Sequence, residues 1–265
     1  MPIMNELYGM YKKRGHHIVN GIHSKQSGLP HSEFTHIVAD DNTTTLGLGI
    51  SPSEIYFLEH LFEDYSPQSI FIVGNSFGWS TLALSLLNPE AKVVAIEAGM
   101  NSFTDAWIEK SNEIAKEEGL NAVVEKGISP QDVAGVVERN FPEPVDFVFI
   151  DGDHTNKQAA LDFEAIRAFS RRETIFLFND VLYRDLGKGI RGIVERTGLD
   201  GHVLWRTSSG MCVLCHDDCH EDKLELLSNF SLGPKTASLF ASLKKVNQES
   251  ARNQALEQAG LGGAL

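Results

Sequence analysis

The stretch Val145-Asp-Phe-Val-Phe-Ile-Asp-Gly-Asp-His154 decides the fold class of this 265-residue chain. Its central apolar run is typical of a strand that is buried on both faces of a parallel sheet. Three polar residues, Asp151, Asp153 and His154, follow the run directly. Because ligands of open α/β sheets bind beyond the carboxyl ends of the strands, these side chains are candidates for metal binding or proton transfer.

Strand and helix patterns alternate on both sides of this stretch. Strands are predicted at 69–74, 92–97, 121–125, 145–151 and 174–179, and helices at 78–88, 103–118, 130–139, 156–170 and 187–197. Repeated strand–helix units predict a parallel sheet with helices on both faces. Residues 202–207 and 211–215 flank Ser208-Ser-Gly210, which predicts a hairpin with a three-residue loop. The expected fold is therefore a doubly wound α/β sheet of seven mostly parallel strands that ends in an antiparallel hairpin.

The chain is predicted to have three parts, a central domain at 51–217, an N-terminal extension at 1–50 and a C-terminal helical region at 218–265. Residues 1–50 are polar, so we expect loops with one short helix, and we expect part of 15–45 to cover the site as a lid. Five histidines of the extension are interpreted as surface or loop residues, with metal or substrate binding as the alternative; they are His16, His17, His23, His31 and His36. Helices at 219–230 and 236–258 are expected to pack on the core, with a homodimer contact as the alternative, and residues 260–265 are expected to fray.

Composition and charge restrict the class of partner. The formal net charge of −13 argues against binding to nucleic acid or to an anionic membrane, both of which need basic surface. No apolar run is long enough to predict a membrane span. Residues 1–20 have no apolar signal region, so a cytoplasmic location is expected.

The three cysteines, Cys212, Cys215 and Cys219, are crowded together and do not suggest a disulfide framework. With His216 and His220 they resemble a haem-attachment motif or a zinc cluster. On a strand, however, residues 212 and 215 point to opposite faces. Packing of both side chains in the strand is therefore the preferred interpretation.

A glycine-containing turn, Gly74-Asn-Ser-Phe-Gly78, follows the first predicted strand of the domain. The dinucleotide fingerprint would need glycine where Ser76 and Trp79 stand, so a pyrophosphate ligand is disfavoured. The next strand ends in Glu97, and an acid at this place can accept the hydroxyls of a ribose. The sequence therefore predicts a ligand with a ribose and no diphosphate, unless Glu97 is merely a solvated strand-end residue.

With these features the chain resembles the class I S-adenosylmethionine-dependent methyltransferases, which have a Rossmann-like sheet, from about residue 52 to 216. It is most similar to the metal-dependent O-methyltransferases of the catechol and sugar type. Those enzymes carry an Asp after the fourth strand and an Asp-Asn pair after the fifth, which correspond to Asp151 and, in reversed order, to Asn179-Asp180. The resemblance implies a set of S-adenosylmethionine contacts, namely Gly74, Asn75, Ser76, Gly78, Glu97, Ala98, Gly127, Ile128, Ser129 and Asp151. One departure is Ile72, where many members have an acid that contacts the methionine part of the cofactor.

The resemblance also implies a divalent cation, Mg²⁺ by ligand type, bound by Asp151, Asn179 and Asp180. The ion would orient a hydroxyl of a small-molecule acceptor, and His154 would act as general base. The alternatives are that His154 caps the following helix and that Asn179 and Asp180 only form a turn. Asp153 is interpreted as a helix cap or a solvated acid.

Two residues that follow the Asn179-Asp180 pair, Tyr183 and Arg184, are candidates for shaping the acceptor pocket. Two other functions are considered besides methyl transfer. One is a nicotinamide-dependent oxidoreductase, against which Trp79 argues. The other is a non-catalytic binding protein on the same fold, because a fold by itself does not guarantee chemistry.

Overall fold

The computed structural model describes residues 3–41, 43–44 and 48–258, so the predicted fraying of 260–265 lies outside the described residues. The chain divides into two compact units, Met1–Phe230 and Ser231–Leu265. Within the described ranges, no helix has the length and apolar character needed to cross a membrane.

The seven-stranded sheet of the first unit confirms the predicted fold class. It contains β3 (Ser69–Val73), β4 (Lys92–Glu97), β5 (Ala122–Lys126), β6 (Val145–Ile150), β7 (Ser170–Phe178), β8 (Asp200–Val203) and β9 (Cys212–Cys215). The strand order is β5-β4-β3-β6-β7-β9-β8. Strands β3 to β7 are parallel, and β9 is antiparallel to both of its neighbours, β7 and β8. The chain leaves β3 toward one edge and later returns to the other side of β3 at β6, so the carboxyl ends of these two strands form the expected ligand crevice.

Helices cover both faces of the sheet and form two apolar cores with it. They are α3 (Pro52–Leu61), α4 (Trp79–Leu87), α5 (Ser102–Glu117), α6 (Val133–Asn140), α7 (Asn156–Arg167), α8 (Gly187–Thr197) and α9 (Leu224–Phe230). Phe57, Leu82 and Trp107 lie in one core, and Val136, Phe163 and Ile193 lie in the other. Each helix therefore presents an apolar stripe to one side of the buried strands.

The N-terminal segment is ordered rather than irregular, so the prediction for residues 1–50 is wrong in this respect. It contains α1 (Met4–Lys12), β1 (His16–Val19), α2 (Ser24–Ser27) and β2 (His36–Ala39), and β1 and β2 form an antiparallel pair. Leu7, Met10 and Tyr11 are buried in the first core. Their spacing of three and four residues forms a short apolar stripe, which the surrounding polar residues obscure in the sequence.

The predicted hairpin is confirmed, but its three-residue loop is wrong. Val203 pairs with Cys212, so residues 204–211 form the connection. Leu204 N–H still donates to the Met211 carbonyl at 2.7 Å, but Thr207 Oγ1 takes the other two groups of this pair, donating to the Leu204 carbonyl at 2.7 Å and accepting the Met211 N–H at 2.9 Å. Strand periodicity cannot reveal such a side-chain bond.

The region after the sheet also differs in part from its prediction. Two 3₁₀ turns, Asp217–Cys219 and Glu221–Lys223, replace the start of the helix that was predicted at 219–230. The second unit contains α10 (Pro234–Gln258), which carries Leu239, Phe240 and Leu243, and the packing of these three on the core stays a prediction. The three-part division and the homodimer remain predictions.

Candidate active site

A cavity of about 960 Å³ lies at the carboxyl ends of the parallel strands. It is at the upper end of the roughly 300–1,000 Å³ that is usual for small-molecule sites. Nine of the ten predicted cofactor contacts line it, namely Gly74, Asn75, Ser76, Glu97, Ala98, Gly127, Ile128, Ser129 and Asp151. The predicted base, His154, and the other two predicted metal ligands, Asn179 and Asp180, line it as well. The fold therefore brings residues from five separate strand ends to one site.

The turn after β3 passes very close to the end of β6. Gly74 has φ +94°, and a Cβ atom there would lie 2.3 Å from the Asp151 carbonyl oxygen. Only glycine adopts this positive φ without strain and also leaves room for the Asp151 carbonyl oxygen. Gly78 is not among the lining residues; a Cβ atom there would lie 2.5 Å from Ser111 Oγ, so close packing at the start of α4 accounts for this glycine.

Glu97 organises the glycine turn. Its Oε2 accepts the backbone N–H groups of Asn75 and Ser76, each at 2.9 Å, and its Oε1 accepts the Gly99 N–H at 3.0 Å. The side chain is buried at the cavity wall, so the alternative of a solvated strand-end acid is wrong. The carboxylate has further lone pairs with which it can accept a ribose hydroxyl.

An acid that the sequence analysis missed, Asp162, lies in the wall beside Ser129. Ser129 Oγ and Gln158 Nε2 both donate to Asp162 Oδ1. Asp162 Oδ2 is buried and has no hydrogen-bond partner among the described residues. Burial raises the pKa of this carboxyl. The signal for it was an acid on the face of α7 that also carries the buried Ala159 and Phe163.

The polar end of the cavity contains Asp151, Asn179 and Asp180. Asn179 Nδ2 donates to Asp151 Oδ1 at 2.8 Å, and Asn179 Oδ1 accepts from Ser209 Oγ at 2.8 Å. Burial, and then the nearby Asp180, raise the pKa of Asp151 well above its ordinary value. Burial raises the pKa of Asp180 to about 6. Two desolvated carboxylates that repel one another therefore face the same space.

A buried network connects this end to the start of α3. Ser209 N–H donates to Glu54 Oε1 at 2.8 Å, and Ser51 N–H donates to Glu54 Oε2 at 2.6 Å. Ser51 and Glu54 together form the capping box of α3. Burial raises the pKa of Glu54. The sequence marks this pair as a helix start, but it contains no sign that Glu54 also holds Ser209, and through Ser209 the amide of Asn179.

His154 lies next to the carboxylates. Its Nε2 is 3.3 Å from Asp180 Oδ2. Burial, and then the charge of Arg184, lower its pKa, so the imidazole is neutral at neutral pH. Thr155 caps α7 by accepting the Gln158 N–H, so the predictions that His154 or Asp153 forms this cap are wrong. Asp153 is exposed, which agrees with its interpretation as a solvated acid.

Aromatic residues from distant parts of the chain line the remaining wall. Tyr183 Oη lies 3.2 Å from His31 Nδ1, and the rings of Phe34 and Tyr183 meet edge to face at 5.1 Å. The Arg184 guanidinium lies over the Tyr183 ring. Part of the N-terminal segment therefore lines the cavity through His31 and Phe34. The expectation that part of 15–45 acts as a lid stays a prediction.

Comparison with known proteins agrees with this geometry. Residues 72–181 match a family model described as a methyltransferase domain. No curated protein matches this sequence.

Three solved structures illustrate the likeness in fold. A Staphylococcus aureus protein assigned as a caffeoyl-CoA O-methyltransferase has 13% identity and a TM-score of 0.51, with 62% of this chain and 83% of that chain covered. A Geobacter sulfurreducens methyltransferase has 16% identity and a TM-score of 0.51, with 62% and 79% covered. A cofactor-bound protein from MTB has 19% identity and a TM-score of 0.50, with 63% and 81% covered.

The matched domain, the seven-stranded sheet and the cavity at its switch point together define the class of protein. The chain therefore contains a methyltransferase domain at residues 72–181. Its seven-stranded sheet has the fold of the solved methyltransferase structures. This match favours methyl transfer over the nicotinamide-dependent oxidoreductase. The non-catalytic binding protein on the same fold stays an alternative, because a fold by itself does not guarantee chemistry.

Proposed function

We propose that this enzyme transfers the methyl group of S-adenosylmethionine to a hydroxyl of a small-molecule acceptor, with His154 as the general base. One observation carries the proposal. A single cavity holds the Gly74 turn and Glu97 at one end and His154 with Asp180 at the other. A cofactor bound between them would direct its methyl group toward a basic, carboxylate-rich space.

The cofactor end has a polar group for each part of S-adenosylmethionine. Glu97 offers carboxylate oxygens to the ribose, and the free Asp162 Oδ2 offers an acceptor for the amino group of adenine. The turn at Gly74 allows backbone to approach the methionine part closely. Because Ile72 stands where many related enzymes have an acid, this part of the cofactor has one anchor fewer.

The polar end fits a divalent cation. Asp151 and Asp180 are desolvated carboxylates that raise each other's free energy, and a cation between them would relieve that repulsion. Oxygen donors of this kind suit Mg²⁺. Asp151 and Asp180 would hold the ion, and Asn179 would add an oxygen ligand once its amide turns, because its Nδ2 now donates to Asp151 and its Oδ1 accepts from Ser209. The ion would lower the pKa of the acceptor hydroxyl and orient it.

In the proposed reaction, the step carried out by the protein's own side chains is a proton transfer to His154. The neutral Nε2 accepts the proton of the acceptor hydroxyl. The acceptor oxygen bonds to the methyl carbon as the carbon–sulfur bond breaks, and its electron pair stays on sulfur in S-adenosylhomocysteine. Asp180, 3.3 Å from Nε2, stabilises the imidazolium that forms. The Staphylococcus aureus neighbour's assignment supports oxygen as the acceptor atom.

The acceptor wall supports a small organic molecule. His31, Phe34 and Tyr183 form an aromatic surface beside the base. Such a surface binds a planar or partly apolar acceptor better than a highly hydrated one. Catechols and sugar diols are therefore the two acceptor classes to compare.

The test combines calorimetry with a transfer assay. We expect S-adenosylhomocysteine to bind, Mg²⁺ to bind after it, and methyl-labelled S-adenosylmethionine to label at least one catechol or sugar diol. EDTA should abolish labelling without preventing cofactor binding. His154→Ala should remove labelling, whereas His60→Ala, at a half-buried position on α3 that does not line the cavity, should not. Failure of the cofactor to bind, or equal labelling by the two variants, would overturn the proposal.

A further inference from the structure

A second group of metal-ligating side chains lies at the edge of the sheet formed by β8 and β9. His202 Nε2 is 2.8 Å from Asp217 Oδ1, and Cys215 Sγ is 3.9 Å from the same oxygen. The three ligand atoms all lie within 4.8 Å of one another. None of the three residues is among those that line the cofactor cavity.

The backbone holds these donors in place. His202 lies on β8 and Cys215 on β9, and the two strands pair antiparallel with Asp200 opposite Cys215. Asp217 begins the turn that follows β9, and its N–H donates to Asp200 Oδ2 at 3.1 Å. The donors therefore come from a paired strand edge and an adjoining turn, not from separate mobile loops.

The spacing of the donors suits a tetrahedral ion. Zinc binds sulfur, nitrogen and oxygen ligands at about 2.0–2.3 Å, which places neighbouring ligand atoms roughly 3.3–3.8 Å apart. The observed distances from Asp217 Oδ1, 2.8 Å to His202 and 3.9 Å to Cys215, lie on either side of that range. Small side-chain rotations would therefore form the site.

The local charge also favours a cation. Asp217 and Asp200 lie beside the Cys215 thiol, and the ion-pair partner of Asp217 is His202 rather than a lysine or arginine. Burial, and then these carboxylates, raise the pKa of the Cys215 thiol to about 12. A bound zinc ion would reverse this effect, because a coordinating thiol loses its proton to the metal.

The ligand set differs from the one that the cysteine motif suggests. Cys212 belongs to the core on the opposite face of the sheet from Cys215, as the strand spacing predicted. His220 Nε2 is 2.9 Å from the Glu173 carbonyl oxygen, so it is already hydrogen-bonded there. Cys212 and His220 of the motif are therefore not among the proposed ligands, and His202 and Asp217 lie beside Cys215 instead.

We propose that His202, Cys215 and Asp217 form a zinc site that ties β8 to the turn after β9. Three protein ligands leave the fourth position for water or for the neighbouring Asp200. The site is independent of the proposed methyl transfer and of any ion at Asp151 and Asp180. Its expected effect is on the stability of the sheet edge, because an ion that binds only the folded state stabilises that state.

Cobalt absorption provides the test. Metal-free full-length protein is titrated with Co²⁺, and we expect a thiolate-to-cobalt charge-transfer band together with the visible bands of a tetrahedral site. Zn²⁺ should displace the cobalt and raise the thermal midpoint. Oxygen ligands at Asp151 and Asp180 give no charge-transfer band, so an ion bound there is distinguished from this site.

Four variants identify the ligands. Cys215→Ser and Asp217→Asn should lose the band, while Cys212→Ser and Cys219→Ser should keep it. An unchanged far-UV circular-dichroism spectrum of each variant confirms that it is folded. Absence of the band in the wild-type protein, or its loss in Cys219→Ser with retention in Cys215→Ser, would overturn the proposal, the latter result pointing to a surface thiol.

Discussion

Substitution of Asp162 by Asn should change which base the cofactor pocket prefers. In the wild-type protein, Asp162 lies in the cavity wall with its buried Oδ2 without a partner, while Ser129 and Gln158 both donate to Oδ1. The amino group of adenine is a donor and can bond to Oδ2. Hypoxanthine has a carbonyl oxygen at the same place, which would leave two acceptors facing each other.

The size of the preference follows from the charge on Asp162. A hydrogen bond to a charged group is worth about 1.5–3 kcal/mol net, which corresponds to roughly 10- to 150-fold in affinity. The wild-type protein should therefore bind S-adenosylhomocysteine more tightly than S-inosylhomocysteine by that factor.

The two donors at Oδ1 determine how the variant behaves. In Asp162→Asn they hold the amide oxygen at the Oδ1 position, so the NH₂ group faces the cavity. This group repels the adenine amine and donates to the carbonyl oxygen of hypoxanthine. The preference should disappear or reverse.

Calorimetric titration of both ligands into both proteins measures the effect, and repeating it at higher pH favours the ionised carboxyl, because burial raises the pKa of Asp162. An unchanged ratio in the variant would refute the role of Asp162. Failure of either protein to bind S-adenosylhomocysteine would instead refute the cofactor assignment.

Three further predictions concern the base, the buried network and the glycine turn. His154→Ala should lower kcat by roughly 10²- to 10⁴-fold with an unchanged Kd for S-adenosylhomocysteine, because the proposed reaction uses this residue only to accept a proton; a weaker Kd with normal kcat would contradict this. Glu54→Gln should reduce the free energy of unfolding in urea by about 1–3 kcal/mol, because one of two buried N–H groups loses its acceptor; the exposed Glu63→Gln is the control. Gly74→Ala should lower the thermal midpoint and weaken cofactor binding, since its Cβ would lie 2.3 Å from a backbone oxygen. Gly119→Ala has a similar positive φ with nothing within 4 Å, so equal effects of the two substitutions would show that backbone strain, rather than the close approach, is responsible.

The strands and the helices between them could be predicted because their evidence is local. An apolar run bounded by turn residues identifies a strand, and spacing of three and four identifies a helix. The predicted strand at 92–97 and helix at 187–197 coincide with β4 and α8. This evidence fails where a loop side chain bonds the backbone, as Thr207 does at the Leu204 carbonyl and the Met211 N–H.

The candidate site shows the same division. Gly74, Glu97, Asp151 and His154 were found because each follows a strand at the edge where ligands bind. Asp162 and Glu54 were not found, because an acid within a helix looks like an ordinary solvated residue until its surroundings are known.

By itself, the sequence determined the α/β class, the order of the elements and the residues at the strand ends, because these follow from periodicity and chain direction. Only the tertiary structure decided which distant side chains meet. It joined Glu54 to Asn179 through Ser209, placed His31 against Tyr183, and left Asp162 Oδ2 without a partner in the cavity wall. The physical reason is that burial and hydrogen bonding between remote segments depend on how the helices pack on the sheet, and no local pattern encodes that packing.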